Sequence, residues 1–133
     1  MRIVIDMQGA QTSFSGNRGV GRYTIELVKA MVQKPRDHEI ILVLNGTFPN
    51  TIEAIRAEFG GILSQENIKV WQQFFDTSAI NPENRWRKKA GEILREEFIN
   101  SLQGDIIFST NLQEGLVDNA CTSVKLLPTK SLI

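Results

Sequence analysis

The chain has 133 residues and balances 15 Lys plus Arg against 15 Asp plus Glu, so its net charge is zero and no basic excess points to nucleic acid. A single cysteine excludes an intrachain disulfide framework and a single histidine argues against a His-based metal site, which favours a reducing, cytoplasmic setting. No apolar run approaches a membrane span, Met1-Arg2 leads straight into a strand-like run with no signal peptide, and the length suits one domain with a sizeable core.

Arg2-Ile3-Val4-Ile5-Asp6 reads as a short buried strand, followed by a polar loop over 7–18. A helix opens near Gly19–Arg22, with Tyr23, Leu27, Ala30 and Met31 giving one apolar face, and Pro35 and Asp37 end it. Ile40–Leu44 is a second buried strand. Asn45-Gly46 is turn chemistry, and Pro49 suits the first turn of a helix whose face is Ile52, Ile55, Phe59 and Leu63, closed by Gly60-Gly61.

Asn67–Trp71 is a third strand, and 72–81 an irregular connection. Asn81 then caps a long helix with Trp86, Ala90, Leu94, Phe98 and Leu102 on one face, Ile93 beside them and Gly104 closing it. On this reading Trp86 belongs to the core, and Glu92, Glu96 and Glu97 pair with Lys88 and Lys89 along the helix. Asp105–Phe108 is a fourth strand with a loop over Ser109–Glu114. Residues 116–127 take no assignment, and Thr129–Ile133 reads as a fifth strand.

Strands alternating with helices predict a Rossmann-like three-layer α/β/α fold with a mainly parallel sheet. Right-handed crossovers put loops 7–18, 45–48, 72–81 and 109–115 on the strand-to-helix edge, with the loops after strands one and four flanking a switch point. There Gly16-Asn17-Arg18-Gly19-Val20-Gly21-Arg22 offers glycine backbone, a helix N-terminus and arginines to an anionic group; a tight turn plus ordinary helix start is the alternative. The spacing is not the dinucleotide fingerprint, because Thr24 stands where the third glycine would. Asp6, at the end of the first strand, either binds a hydroxyl or caps its own loop. Asn111, Gln113 and Glu114 stand in the opposing loop and suit sugar hydroxyls. Arg85-Trp86-Arg87-Lys88-Lys89 is read as a solvated face, with at most peripheral membrane contact. His38 falls at the edge away from ligand, and Cys121 is a packing residue.

The ordered set Met1–Asp6, Gly19-Val20-Gly21-Arg22-Tyr23, His38-Glu39-Ile40, Leu44-Asn45-Gly46, Asn81-Pro82, Trp86-Arg87 and Asp105-Ile106-Ile107 leading to Leu112-Gln113-Glu114-Gly115 resembles the N-terminal part of group 1, retaining, GT-B-fold glycosyltransferases, in particular mannosyltransferase-like members that build bacterial surface polysaccharides. The resemblance implies that residues 1–133 are the acceptor-side half of a two-lobed enzyme using a nucleotide-diphosphate sugar and a saccharide acceptor, with no metal or other cofactor. It implies that Gly19, Gly21 and Arg22 approach the donor diphosphate, while Asp6, Asn111, Gln113 and Glu114 line the acceptor cleft. Glu58 and Glu66 share the spacing of the family's paired glutamates but lie in the wrong half. The C-terminal donor-binding half is expected to be missing or supplied as a separate chain, which would leave this chain inactive alone. A non-catalytic Rossmann-like module binding a phosphate-bearing ligand or a partner protein is the competing expectation. For the enzyme, the expected setting is cytoplasmic, up to the inner face of the membrane.

Overall fold

The computed structural model describes residues 1–133 apart from 13–15, 17, 35–36, 74–75, 111–114, 128–130 and 133. In chain order the elements are β1 (Arg2–Asp6), α1 (Gln8–Gln11), α2 (Gly19–Gln33), β2 (Glu39–Asn45), α3 (Pro49–Glu58), β3 (Ile68–Trp71), α4 (Arg85–Ser101), β4 (Ile106–Ser109) and β5 (Ser131–Leu132), with 3-10 turns before β3 and α4. The sheet is wholly parallel in the order β3-β2-β1-β4-β5. The order reverses between β1 and β4, whose register sets Asp6 beside Ser109.

Alternation along the central strands divides two cores. Ile5, Leu42 and Leu44 meet Val28 of α2, Ile55 of α3 and Phe59 just after it, whereas Val4, Ile41, Val43 and Ile107 meet Ile99 of α4 on the other face. Helices therefore cover both faces, as the unbroken apolar strands require. The α/β/α expectation holds, with five strands in the expected order of chain.

Several local expectations need correction. The 7–18 loop contains α1, whose Gln8 and Gln11 are buried. The buried face of α2 is Gly21, Thr24 and Val28 with Ile25, Met31 and Val32, while Tyr23 is 64% exposed. Thr24 can be buried because its hydroxyl donates to the Val20 carbonyl at 2.8 Å. The largest difference is α4, which buries its polar side. Asn84 just ahead of it, and Gly91, Arg95, Glu96 and Ile99 within it, are buried, and Trp86, Ile93 and Leu94 point outward.

Partners explain that inversion. Lys88 Nζ donates to the Gly115 and Ala120 carbonyls at 2.8 and 3.1 Å, Arg95 reaches Asp6 and the Ser123 carbonyl, and the Glu96 carboxylate accepts from the Leu126 N–H. Charged groups with fixed partners tolerate burial that periodicity alone assigns to apolar residues. The expected pairing of Lys88 and Lys89 with glutamates of the same helix does not form among the described residues. Asn81 does cap, accepting from Glu83 N–H at 3.1 Å, but it caps the 3-10 turn that leads into α4. At the other end Gln103, at φ 52, turns the chain, not Gly104.

Candidate functional site

The carboxyl rim at the β1/β4 switch point is built on a buried ion pair. Asp6 closes β1 and is 4% exposed; Arg95 of α4 is fully buried. The guanidinium donates to Asp6 Oδ2 from Nε at 2.9 Å and from Nη2 at 2.6 Å, and from Nη1 to the Ser123 carbonyl at 2.7 Å. Gln8 completes the carboxylate's shell, its N–H donating to Oδ1 at 3.1 Å and its Nε2 to Oδ2 at 3.0 Å. Removing two charges from water is costly, and only this degree of hydrogen bonding offsets it.

From Gln8 the network spreads across the rim. Its side chain exchanges bonds with the Cys121 backbone, Nε2 to O at 2.7 Å and Oε1 from N–H at 3.0 Å, and accepts from Asn45 Nδ2 at 3.0 Å. Gln11 pairs with the Asn45 main chain like an added strand, accepting its N–H at 2.8 Å and donating to its carbonyl at 3.0 Å. Asn119 and Gln73 extend the lattice to Thr77. Amides, each able to donate and accept, thus seal the ends of β1 and β2 beneath residues 118–121. The Cys121 thiol lies under this seal, and burial pushes its pKa up to about 11. It donates to Gln73 Oε1 at 2.9 Å and packs, as expected of it.

The open part of the rim lies on the α2–α3 side. Arg18 caps α2 in an extended conformation and supplies no side-chain acceptor to the first turn. Arg22 N–H closes that turn on the Arg18 carbonyl at 3.2 Å. A Cβ added at Gly19 would meet nothing within 4 Å, so its backbone faces open space. Gly21 and Arg22 line a groove of about 600 Å³ between α2 and α3. It adjoins a second groove of about 440 Å³ bounded by Gln11, Thr12, Gly16 and residues 47–51, where α3 begins on Pro49, also without a side-chain cap. The start of α2 thus borders the first groove and the start of α3 the second; Glu26 and Glu58 also line the first, so it is the end nearest the helix starts that suits an anion.

Of the residues expected at the site, Gly21 and Arg22 line this groove, Gly19 opens α2 with free space beside it, and Asp6 stands at the rim with its carboxylate committed to Arg95 and Gln8. Asn111, Gln113 and Glu114 lie outside the described residues. Just before them, the buried Thr110 hydroxyl has no hydrogen-bond partner among the described residues. His38 is at the opposite edge, 3.5 Å from the Met1 amino group. Glu58 ion-pairs with Lys29, whose pKa is raised by that hydrogen bond. Gln8, Gln11, Asn45 and Arg95 escaped sequence reasoning. One signal was available for Arg95: Gly91, a glycine in mid-helix, lies four residues before it on the same face.

No family model and no solved structure matches the chain. It is similar to the serotype-specific mannosyltransferase WbdA of Escherichia coli, with 28% identity over 125 residues, 93% of this chain and 15% of that protein. Two further Escherichia coli proteins of the same description are 23% and 22% identical over 97 residues, each covering 72% of this chain and 12% of theirs. The similarity relates the chain to a glycosyltransferase, of which it spans about 15% of the length.

Proposed function

We propose that this chain is the acceptor-side, Rossmann-like lobe of a retaining GT-B sugar transferase acting in cytoplasmic polysaccharide synthesis, with mannose the transferred sugar. The observation carrying this reading is the α2 N-terminus, which opens at the carboxyl rim beside the switch point with an uncrowded Gly19 and a cap that offers no side-chain acceptor. A departing nucleoside diphosphate gains negative charge, and fixed N–H donors at Gly19, Val20 and Gly21, with Arg22 beside them, would stabilise it. Asp6, Arg95 and Gln8 would hold the cleft wall. Asn111, Gln113 and Glu114 would meet the acceptor hydroxyls. The similarity to a mannosyltransferase over 93% of the chain supports the chemistry. Most donor contacts and the catalytic groups would belong to a second lobe, so this lobe alone should transfer little sugar.

Backbone-amide NMR tests this directly. Titrating the chain with a nucleoside diphosphate should shift the Gly19–Arg22 amides at millimolar concentration. Gly19→Ala should weaken that response by about tenfold while leaving unfolding unchanged, because the added methyl enters the space a phosphate would fill. Shifts confined to other surfaces would refute the site. Calorimetric binding of a sugar nucleotide in the micromolar range by the chain alone would refute the division between lobes.

A further inference from the structure

We propose that the cavity between α4 and the segments 79–84 and 123–126 binds a phosphate ester, at a site separate from the α2 mouth. The cavity is about 480 Å³ and lies on the α4 face of the sheet, opposite the α2–α3 grooves. Its size suits a small organic molecule. Four cations line it, Arg85, Lys88, Lys89 and Lys125, against two carboxylates, Glu92 and Glu96. Lys88 is already held by the Gly115 and Ala120 carbonyls, and the buried Glu96 accepts from the Leu126 N–H. Among the described residues, no ion pair or hydrogen bond engages the side chains of Arg85, Lys89 and Lys125. That arrangement costs the chain stability. Arg85 opens α4, at the positive end of the helix dipole, and Lys89 stands one turn on along the same side. An anion in the cavity would relieve both repulsions.

Charge and shape select the ligand. The lining has two more positive than negative groups, which matches a phosphate monoester carrying nearly two negative charges at pH 7. Arg85 and Lys89 belong to one wall and Lys125 to the other. A phosphate presents oxygens in several directions and can meet both walls, whereas a carboxylate has two oxygens in one plane. The second wall is fixed in place, because Arg95 donates to the Ser123 carbonyl at 2.7 Å and Asn100 to the Leu126 carbonyl at 3.0 Å. Ile93 and Leu126, also in the lining, are 47% and 57% exposed and offer apolar surface to the body of the ester. The α2 mouth contributes nothing to this cavity, so the inference stands apart from the proposed function.

The test is backbone-amide NMR of the full chain with glycerol phosphate as the probe. Amides of 84–89 and 123–126 should shift with a Kd of about 1 mM, the strength that a few charge pairs open to water provide. Arg85→Gln and Lys125→Gln should each weaken binding about fivefold, and Glu92→Gln should tighten it about threefold. Lys34→Gln, which removes a cation at the far end of α2, should leave it unchanged. Arg85→Gln should also raise the Tm of the unliganded chain by about 1–3 °C, since that cation opposes the helix dipole, and its lost binding is then not a folding defect. Vesicles identify the source of the phosphate. Pelleting with phosphatidylglycerol but not phosphatidylcholine, and its loss in Lys125→Gln, would assign the ester to a lipid headgroup; no pelleting would assign it to a soluble molecule. Amides of 84–89 and 123–126 that stay in place at about 10 mM probe would overturn the proposal. So would binding weakened equally by Lys34→Gln. Gly19–Arg22 are read in the same spectra, so the two sites hold or fail independently.

Discussion

Asp6 and Arg95 form the contact on which the rim depends, because each removes the other's reason to be unstable. The guanidinium makes three hydrogen bonds, two to one carboxylate oxygen, and no part of it reaches solvent. Arg95→Met leaves a carboxylate buried with only Gln8 to satisfy it, and should cost about 3–5 kcal/mol, a large share of the 5–15 kcal/mol typical of a domain. Adding Asp6→Asn removes the stranded charge, so the double variant should be less destabilised than the two single losses summed, by about 1–3 kcal/mol. Urea unfolding of the four proteins in the cycle gives the coupling directly. Additive losses would mean that the two charges do not act as a unit, and that the packing around each sets its cost.

At the scale of elements, the end of α4 tests the same style of argument. Gln103 holds a left-handed conformation, φ 52, where a side chain is strained, while Gly104 has no room for one: its Cβ would sit 2.7 Å from Cγ2 of the buried Val4. The two adjacent positions therefore want opposite residues. Gln103→Gly should stabilise by up to about 1 kcal/mol, and Gly104→Ala should destabilise by about 1–3 kcal/mol. Thermal melts that rank them the other way would contradict the assignment of the turn. This detail shows where the sequence was legible. Ile40–Leu44, the Pro49 helix start and the switch point followed from β-branched runs, turn residues and chain order, which are local signals. The face of α4 did not, because Arg95, Glu96 and the half-buried Lys88 are held by partners that lie between 27 and 89 residues away in the chain. Hydropathy at helical spacing sees only side chains on their own element. It assigned Trp86 and Leu94 to the core for that reason, and it passed over Gln8 and Asn45 because an amide next to a strand looks like any loop residue.

For the molecule as a whole, the consequence is that its two outer layers are held by different physics. The α2–α3 layer rests on an apolar core of Ile5, Leu42, Leu44, Val28, Ile55 and Phe59, whose contribution falls off gradually as contacts loosen. The α4 layer rests on Val4, Val43 and Ile99 together with charged groups that need exact partners in 115–126, so it loses much of its support once that segment lifts. Opening should therefore begin on the α4 side. Native-state hydrogen exchange should show α4 amides opening at a free energy lower by about 1–2 kcal/mol than those of β1, β2 and α3, which should open only with the whole chain. Equal opening energies in α4 and β2 would mean that the polar layer is as cooperative as the apolar one, and that 115–126 does not lift before the sheet gives way.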